Sequence, residues 1–492
     1  MELNSILKFL ENRCILLTGA TGFLAKVFIE KILRVQPNVK RLYLLLRAAD
    51  NMSAFHRFNT EVMAKDLFVV VKEKYGPKLD CLIQQKITLL AGDITLDCLG
   101  LKGPTLEQLY EEVEIVINLA ATTAFDERFD IALGINTIGP ANVLSFSKKC
   151  SKLRVLLHVS TAYVCGEKEG LILETPLEFG ETLNGTSKFD INKEKEIMED
   201  KLKELRADKA PESHVVSVMK DLGIQRARKY GWPNTYSFTK AMGEMVLGHL
   251  KGQTPLVIIR PTIIASTFKE PFPGWLEGVR NIDSFVVGYG KGKLTCFPGD
   301  PQSVVDLIPA DMVVNSMIVS LAAHADEPTE TIYHVGSSMS NPVLYHCLQD
   351  YGLRFFTERP WINKDGKPVI VRKGTELSTK DIVRRYMQMH YLIPLKILSL
   401  VNTASCQYFQ GTYLDLARKV KLLMRLVELF SPYVFFKGVF DDMNTERLRR
   451  AAKESCGASE NEIFNFDPKC INWDDYVMYT HIAGVVKHAF RR

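Results

Sequence analysis

Residues 16–25 read Leu16-Leu17-Thr18-Gly19-Ala20-Thr21-Gly22-Phe23-Leu24-Ala25, and this stretch says most about how the chain folds. It follows a short apolar run and precedes a segment with apolar residues at helical spacing, so it predicts a turn between a buried strand and a helix. Gly19 can adopt the positive φ of a tight turn, and Gly22 lets backbone N–H groups approach phosphates at the helix start. The turn predicts a dinucleotide site, whose expected contacts are Thr18, Gly19, Thr21, Gly22, Phe23 and Leu24.

The end of the second strand bears on the choice of cofactor. Leu42 to Leu46 is an apolar run that completes a βαβ unit, and Arg47 follows it. An arginine here can pair with a 2′-phosphate, whereas sites that prefer NAD tend to carry an acidic residue. The sequence therefore favours NADPH, and the alternative is a solvated arginine after a strand.

Two more strands extend the same pattern of a doubly wound α/β domain. Ile87 to Leu90 leads into Gly92-Asp93, and Val113 to Leu119 leads into Ala120-Ala121. Loops at the carboxyl ends of parallel strands line the cofactor crevice, so Asp93 and Ala120 are expected there. Asp93 can accept a hydrogen bond from the adenine amino group, or it can cap the next segment.

The spacing Tyr-x-x-x-Lys is the main catalytic signal, and it occurs three times, at Tyr236/Lys240, Tyr289/Lys293 and Tyr433/Lys437. The second pair lies in a stretch too rich in glycine for a helix, and the third lies far from the cofactor half. The first pair begins a convincing helix, on which residues four apart share a face. We therefore predict that Tyr236 is the proton donor and that Lys240 lowers its pKa and binds the cofactor.

A hydroxyl residue is expected on the strand that ends beside that helix. The run from Val155 to Val159 is such a strand, and Ser160 and Thr161 close it. Thr161 is the predicted ligand of the substrate oxygen and Ser160 is the fallback. Each hydroxyl alone is more often a turn or cap residue, but the joint order of glycine loop, hydroxyl strand and Tyr/Lys helix is hard to obtain by chance.

These motifs resemble the extended short-chain dehydrogenase/reductase superfamily and, more narrowly, the alcohol-forming fatty acyl-coenzyme A reductases of plants. The resemblance covers nearly the whole chain and is carried by residues 18–25, 118–121, 158–164, 230–236 and 269–275. It implies a doubly wound α/β domain followed by a smaller, mainly helical one. It also implies catalytic roles for Tyr236, Lys240 and Thr161, with Asn136 matching the helix asparagine that supports the lysine. Ala25 replaces the last glycine of the turn, which adds one methyl group.

The resemblance implies a reaction in lipid metabolism of the wax or suberin type. A long-chain or very-long-chain fatty acyl-CoA is reduced to a primary alcohol through an aldehyde, with two NADPH consumed. One alternative is a reductase that stops at the aldehyde, and another is an NAD-dependent nucleotide-sugar epimerase or dehydratase. A non-catalytic nucleotide-sensing protein is a third alternative, against which the intact Thr161, Tyr236 and Lys240 argue.

The chain is predicted to divide into residues 1–360, the reductase part, and residues 361–492, the helical part. Thr161 and Tyr236 lie 75 residues apart, so an insertion on the substrate side is expected at about 165–232, and a second at about 265–305. Leu307 to Leu321 is predicted to be a helix and Thr331 to Val335 a strand. Residues 363–373 have the composition of an exposed loop.

Composition bounds the class of protein and its location. The chain has 492 residues, of which 46% are hydrophobic and 24% charged, so it can bury a large core. Ten scattered cysteines and the absence of zinc-type spacings suggest neither disulfides nor a metal site. No signal or transit peptide is recognised before the first strand. We therefore expect a cytosol-facing enzyme, and the resemblance implies that it is associated with the membrane of the endoplasmic reticulum.

Positive charge is concentrated near the C-terminus. Residues 384–440 contain eight Lys or Arg and two Asp or Glu, a net charge of +6 against +5 for the whole chain. Apolar segments alternate with these charges, and none reaches the length of a transmembrane helix. The stretch is either a basic, apolar surface for anionic lipid, with Arg418, Lys419, Lys421 and Arg425 as contacts, or a helical core with a solvated basic face. Nucleic-acid binding is disfavoured because no groove-reading motif accompanies the charge.

Overall fold

A computed structural model describes residues 5–186 and 188–489 of the chain. Its strands are β1 (Cys14–Thr18), β2 (Arg41–Leu46), β3 (Ile87–Ala91), β4 (Ile115–Asn118), β5 (Val155–Val159), β6 (Gly170–Ile172), β7 (Leu256–Pro261), β8 (Ile263–Ala265), β9 (Cys296–Pro298), β10 (Leu307–Pro309), β11 (Glu330–Val335), β12 (Thr375–Leu377) and β13 (Gly438–Phe440). Its α-helices are α1 (Ile6–Leu10), α2 (Phe23–Val35), α3 (Asn51–Arg57), α4 (Val69–Tyr75), α5 (Leu79–Lys86), α6 (Gly103–Glu112), α7 (Phe129–Leu133), α8 (Gly139–Ser147), α9 (Ile191–Ala207), α10 (Glu212–Lys229), α11 (Thr235–Leu250), α12 (Asn281–Gly290), α13 (Ala310–His324), α14 (Tyr345–Glu358), α15 (Lys380–Met387), α16 (Ile393–Ala404), α17 (Gln410–Val434), α18 (Met443–Ser455), α19 (Ala458–Ile463), α20 (Trp473–Asp475) and α21 (Ala483–Ala489). π-Helical segments span Phe58–Met63, Gly134–Ile138, Gln388–Leu392 and Tyr476–Ile482, and 3₁₀ segments span Asp66–Phe68, Gly76–Lys78, Asp97–Gly100, Ala162–Cys165 and Pro468–Cys470.

Seven strands form one parallel sheet in the order β3-β2-β1-β4-β5-β7-β11. Residues of β1 alternate between two cores, because side chains along a strand point to opposite faces. Ile15 and Leu17 face the core that contains α2 and α13, whereas Cys14 and Leu16 face the one that contains α8 and α11. Helices thus cover both faces of the sheet, and the predicted doubly wound fold is confirmed. The strand order reverses between β1 and β4, where such sheets bind ligands.

Leu307 to Leu321 was predicted to form one helix, and this prediction is wrong. Its first residues form β10, which pairs in parallel with β8, and α13 begins at Ala310. Pro309 caps the helix with φ −64° and ψ 144°. Proline has no N–H group and disfavours helical geometry in the residue before it, so the helix starts after the proline. The predicted strand from Thr331 to Val335 is present as β11.

The glycine-rich stretch around Tyr289 is helical, contrary to the sequence prediction. Helix α12 runs to Gly290, and Tyr289 lies in its last turn. A Cβ atom on Gly290 would come within 2.3 Å of the Phe356 ring of α14. The glycine therefore permits two helices to pack closely, and this gain in packing outweighs its low helix propensity.

The C-terminal third pairs with earlier parts of the chain at several places. Strand β12 pairs with β9 and strand β13 pairs with β6, both in parallel. Glu174, which follows β6, accepts hydrogen bonds from the backbone N–H groups of His334 and Asn444. The division of the chain into a reductase part, residues 1–360, and a helical part, residues 361–492, stays a proposal. No helix within residues 5–186 and 188–489 is long and apolar enough to cross a bilayer.

Candidate active site

The glycine turn has the geometry that a dinucleotide site requires. Gly19 has φ +67°, and a Cβ atom on it would lie 2.7 Å from the backbone N and Cα of Ala120. A side chain at Gly19 is therefore excluded both by its dihedral angle and by Ala120. Gly22 precedes the first residue of α2, whose N-terminal N–H groups and dipole favour an anion. The turn opens into the cavity described below, so its residues fit a dinucleotide phosphate.

The other predicted cofactor contacts near the turn differ in where their side chains lie. Thr18 is buried and donates to Asn118 Oδ1 at 2.7 Å, while it accepts from the Ala120 N–H at 3.2 Å. Phe23 stacks on Trp275, with ring centroids 5.2 Å apart, and lines the cavity together with Leu24. The Thr18 side chain therefore connects β1 to β4.

Arg47 and Asp93 follow the carboxyl ends of β2 and β3, as predicted. The Arg47 side chain is exposed, and its carbonyl accepts from Arg57 at 2.6 Å. Asp93 Oδ1 accepts from the backbone N–H and the hydroxyl of Thr95, both at 2.9 Å. Asp93 therefore closes a local turn before the 3₁₀ segment Asp97–Gly100, whose N-cap is Leu96, and its contact with the adenine amino group stays a prediction. The Arg47 guanidinium has no partner among the described residues.

Tyr236 and Lys240 lie on α11, which begins with a side-chain cap. Asn234 accepts from the Ser237 N–H at 2.9 Å, and this N-cap sets where the helix starts. Lys240 is 1% exposed, and its Nζ donates to the Val159 carbonyl at 2.7 Å. The capped helix thus directs the ammonium to the carboxyl end of β5.

A buried polar chain connects Lys240 to the glycine turn. Lys240 Nζ lies 3.3 Å from His158 Nε2, and Asn118 Nδ2 lies 3.0 Å from His158 Nδ1. Asn118 in turn accepts from Thr18, the residue before Gly19. Burial lowers the pKa of His158 well below its usual range, with a contribution from Lys240, so the ring is neutral. The sequence prediction missed His158, although a histidine inside an apolar strand is a recognisable signal.

The ionisation of the pair differs from the sequence prediction. Burial raises the pKa of Tyr236 to about 12, and its hydrogen bond to Thr161 lowers it only in part. Burial lowers the pKa of Lys240 to about 8, against the opposing effect of Glu244. The phenol therefore stays protonated at neutral pH, and the predicted lowering of its pKa by Lys240 is not present. The ammonium is instead held by His158 and Val159.

Two hydroxyl groups lie at the end of β5. Thr161 is buried, bonds the Tyr236 phenol and accepts from the Tyr163 N–H at 3.3 Å. Ser160 also lines the cavity, and its buried Oγ has no hydrogen-bond partner among the described residues. Both predicted hydroxyls thus line the cavity that Tyr236 lines, and Ser160 Oγ is free for a ligand.

Asn136 has no direct contact with Lys240, and its support of the lysine stays a prediction. Its amide donates to the Thr122 carbonyl and to Thr239 Oγ1, each at 3.1 Å, and it accepts from the Thr122 N–H. Asn136 therefore fixes the loop after β4 against α11. Thr239 precedes Lys240 in the sequence, and its hydroxyl donates to the Thr235 carbonyl.

An apolar cavity of about 670 Å³ joins these parts. It is lined by Gly22, Leu24, Ser160, Thr161, Tyr236 and Lys240, and by apolar residues from α12, α14 and α17. Leu426, Leu429 and Phe430 come from α17, a helix of the C-terminal third. One space thus adjoins the glycine turn, the Tyr/Lys pair and an apolar wall.

Tyr433 belongs to this site, although its sequence position predicted the opposite. Its hydroxyl accepts from Asn234 Nδ2 at 2.8 Å, directly at the start of α11. Its ring stacks on Phe125 with centroids 4.7 Å apart, and Phe125 lies 6.2 Å from the Tyr236 ring. Tyr289 also lines the cavity, while its hydroxyl donates to the Arg372 carbonyl. All three Tyr-x-x-x-Lys tyrosines therefore contact one cavity, and Tyr236 has the buried lysine beside it.

Comparison with known proteins agrees with this geometry. A family model described as a male sterility protein, with an NAD-binding part, matches residues 17–317, and a second of the same description matches residues 390–492. An alcohol-forming fatty acyl-CoA reductase of Simmondsia chinensis is 54% identical over 490 residues, which cover 99% of each chain. Fatty acyl-CoA reductase 1 of Arabidopsis thaliana is 53% identical over 495 residues, which cover 100% of each.

Solved structures show the same architecture at low identity. The terminal R domain of the myxalamid PKS-NRPS pathway has a TM-score of 0.55 at 18% identity, covering 98% of this chain and 92% of that one. A reductase domain of a non-ribosomal peptide synthetase from Mycobacterium tuberculosis has a TM-score of 0.55 at 19% identity, with the same coverage. These likenesses concern the fold alone. Because it matches both family models and is more than half identical to two plant relatives along its whole length, the chain belongs to the alcohol-forming fatty acyl-CoA reductases, a family of oxidoreductases.

Proposed function

We propose that this enzyme reduces long-chain or very-long-chain fatty acyl-CoA to primary fatty alcohols with NADPH, through an aldehyde. The observation that carries this proposal is the apolar cavity in which Tyr236 and Lys240 lie beside the glycine turn. Apolar lining suits an acyl chain, and the buried polar groups lie at its end near the sheet. The plant relatives, named for acyl-CoA reduction, support the same substrate class.

The residues of the cavity have separate roles in the proposed reaction. When bound, the nicotinamide cofactor supplies hydride to the thioester carbon and later to the aldehyde carbon. Tyr236, protonated at neutral pH, donates its proton to the substrate oxygen as negative charge develops there. After the first hydride the C–S bond breaks, the oxygen gives up that proton to form the aldehyde, and coenzyme A leaves as the protonated thiol; after the second hydride the proton stays on the alcohol. Thr161 holds the phenol, and the free Oγ of Ser160 can donate a second hydrogen bond to the same oxygen. Lys240 holds the ribose of the cofactor and keeps a positive charge near the phenol.

The number of reducing equivalents separates the proposal from a reductase that stops at the aldehyde. We expect two NADPH to be oxidised for each alcohol formed, with coenzyme A released as the thiol. The experiment is incubation with NADPH and acyl-CoA thioesters of graded length, followed by gas chromatography of the products. Aldehyde as the final product, with one NADPH per thioester, would contradict the proposal.

Cofactor choice is tested at Arg47, whose exposed guanidinium follows β2. If it pairs with the 2′-phosphate, Arg47→Ala should weaken NADPH binding by about 1.5–3 kcal/mol, the range for hydrogen bonds to charged groups, and leave NADH binding almost unchanged. Titration of the reduced nicotinamide fluorescence measures both. Arg450→Ala is the control, since Arg450 is exposed on α18 and is paired with Glu446. An equal loss for both cofactors would show that Arg47 acts through folding.

A lipid surface is proposed as the place where the enzyme meets its substrate, at the cytosolic face of the endoplasmic reticulum. Helices α16 and α17 pack together and expose large apolar side chains, among them Ile397, Leu400 and Leu422, at 56–64% exposure. Arg418 and Lys419 lie on the same helix pair and supply the positive charge that anionic headgroups attract. Arg425, by contrast, contacts Asp126 at 3.4 Å and belongs to the inner side of α17.

The membrane proposal predicts the behaviour of two double variants. Ile397→Glu with Leu400→Glu, and Arg418→Gln with Lys419→Gln, should each reduce cosedimentation with anionic liposomes, because a basic residue at such a surface contributes about 1 kcal/mol. Added salt should weaken binding further. Met52→Glu, a change at an exposed methionine of α3, should have no effect. If both double variants bound the liposomes as the wild type does and had an intact circular dichroism spectrum, the membrane proposal would be wrong. The face would then be an ordinary solvent-exposed surface.

A further inference from the structure

A second cleft, strongly charged, lies beside the apolar cavity. Its volume is about 1030 Å³, and it is bounded by α10, by residues 231–233 before the catalytic helix, and by α15 and α17. Six cationic and four anionic side chains line it, and these are Lys220, Arg228, Lys380, Arg384, Lys421 and Arg425 with Asp126, Glu167, Asp221 and Glu428. None of the residues given a role in the proposed reaction lines this cleft.

The cleft and the cavity share one wall, which is helix α17. Leu426, Leu429 and Phe430 line the cavity, whereas Lys421 and Arg425 line the cleft. On the other side the boundary is formed by adjacent residues, because the Phe125 ring contacts Tyr236 and Asp126 lines both spaces. A ligand can therefore extend from the phenol of Tyr236, past residues 125 and 126, into the charged cleft.

The cations of the cleft fall into two groups by how tightly they are paired. Three of them, Arg228, Lys380 and Arg384, form direct ion pairs at 2.7, 2.8 and 3.0 Å with Glu428, Glu167 and Asp381. A different group, nearer to Asp126, is loosely held. Lys220 lies 3.8 Å from Asp126, and Arg425 lies 3.4 to 3.8 Å from Asp126, Asp221 and Glu428.

Lys421 completes this loosely held group. It is exposed, lines the cleft and has no ion-pair or hydrogen-bond partner in residues 5–186 and 188–489. Cations at such distances keep most of their capacity to bind another anion, because charge-assisted hydrogen bonds form at about 2.7–2.9 Å. Lys220, Lys421 and Arg425 thus present positive charge in the cleft, and Lys220 and Arg425 lie beside Asp126, which also lines the cavity.

We propose that this cleft binds the phosphorylated nucleotide of the acyl-CoA substrate, its diphosphate and 3′-phosphate, through Lys220, Lys421 and Arg425. The proposal rests on the proposed function, since an acyl-CoA has an apolar chain and a polyanionic end on either side of the thioester. With the chain in the apolar cavity and the thioester carbonyl at Tyr236, the pantetheine arm passes residues 125 and 126. The phosphates then reach the loosely paired cations, where basic side chains stabilise them.

The test uses the double variant Lys220→Gln/Lys421→Gln and two measurements. The first is binding of adenosine 3′,5′-bisphosphate by calorimetry in saturating NADPH, which blocks the cofactor site. We expect Kd to rise about tenfold in the variant, the effect of losing charge-assisted contacts at partly exposed sites. The matched control is Lys193→Gln/Lys203→Gln on the exposed helix α9, which should bind the probe as the wild type does.

The second measurement compares two substrates with the same acyl chain, the CoA thioester and the N-acetylcysteamine thioester, which has no nucleotide. The ratio of their kcat/KM values should fall about tenfold in the Lys220/Lys421 variant and stay constant in the control. An unchanged probe Kd together with an unchanged ratio would overturn the cleft assignment. If the wild type reduced neither thioester, the proposed function would fail, while the calorimetry would still decide the site.

Discussion

Replacing Tyr236 by phenylalanine should abolish most alcohol formation, lowering kcat by about 10²- to 10⁴-fold, the contribution of a positioned general acid. The phenol is protonated at neutral pH because burial raises its pKa to about 12, so the hydroxyl is the available proton. Removing it takes away an interaction made in the transition state, and NADPH affinity should stay close to that of the wild type. Steady-state NADPH oxidation and fluorescence titration measure the two effects.

Tyr289→Phe is the comparison for this variant, because it removes a hydroxyl from another tyrosine of the same Tyr-x-x-x-Lys spacing. The Tyr289 hydroxyl donates to the Arg372 carbonyl, so its loss should affect packing and lower activity far less. Near wild-type turnover in Tyr236→Phe would remove Tyr236 from the mechanism. A loss of NADPH binding in the same variant would instead indicate a damaged fold.

The reductase half was predictable because its signals are local. A buried strand, a glycine turn and a helix follow each other within residues 14–35, and the structure has them in that order. Parallel strands buried on both faces are read as short apolar runs, which is how β2, β3, β4 and β11 were located. The observed ends of these strands differ from the predicted ends by one or two residues, because hydrogen bonding to neighbouring strands determines where a strand ends.

The wall of the active site was not predictable in the same way, because it depends on contacts between residues far apart in the chain. Tyr433 lies 199 residues from Asn234 in the sequence, and no local pattern connects the two. In the fold, the Tyr433 hydroxyl accepts a hydrogen bond from Asn234. Position in the sequence alone therefore does not exclude a residue from the site, because the fold brings distant residues together. The same holds for His158, which a strand pattern presents as one more core residue.

Local rules also failed where tertiary packing competes with them. Gly288 and Gly290 argue against a helix by propensity, but α12 continues through them because Gly290 makes room for Phe356. Lys240 was expected to lower the pKa of the phenol, and its ammonium is bound by His158 and Val159 instead. The sequence therefore identifies Tyr236 and Lys240 as a pair, but the pKa values of the two groups depend on their burial in the fold.

Lys240→Met should lower kcat/KM by about 10²-fold or more, because it removes the proposed cofactor contact and the positive charge at the carboxyl end of β5. In the wild type, burial lowers the pKa of Lys240 to about 8. We therefore expect kcat/KM to decrease as pH rises through about 8, when the ammonium loses its proton. The variant should show no such decrease, since it carries no group that titrates at this position.

The loss of activity above pH 8 can be distinguished from unfolding, because the two depend on pH in opposite directions. The pKa of Lys240 in the folded chain, about 8, lies below its usual value of 10.5, so between these values the unfolded chain binds more protons at this residue. Stability contributed by Lys240 therefore increases as pH rises from 8 to 10.5, and it is lowest below pH 8. Lys240→Arg, which stays charged, should retain activity to higher pH than the wild type. A wild-type pH profile that is flat from 7 to 10, measured on a chain folded throughout, would exclude the ammonium from the reaction.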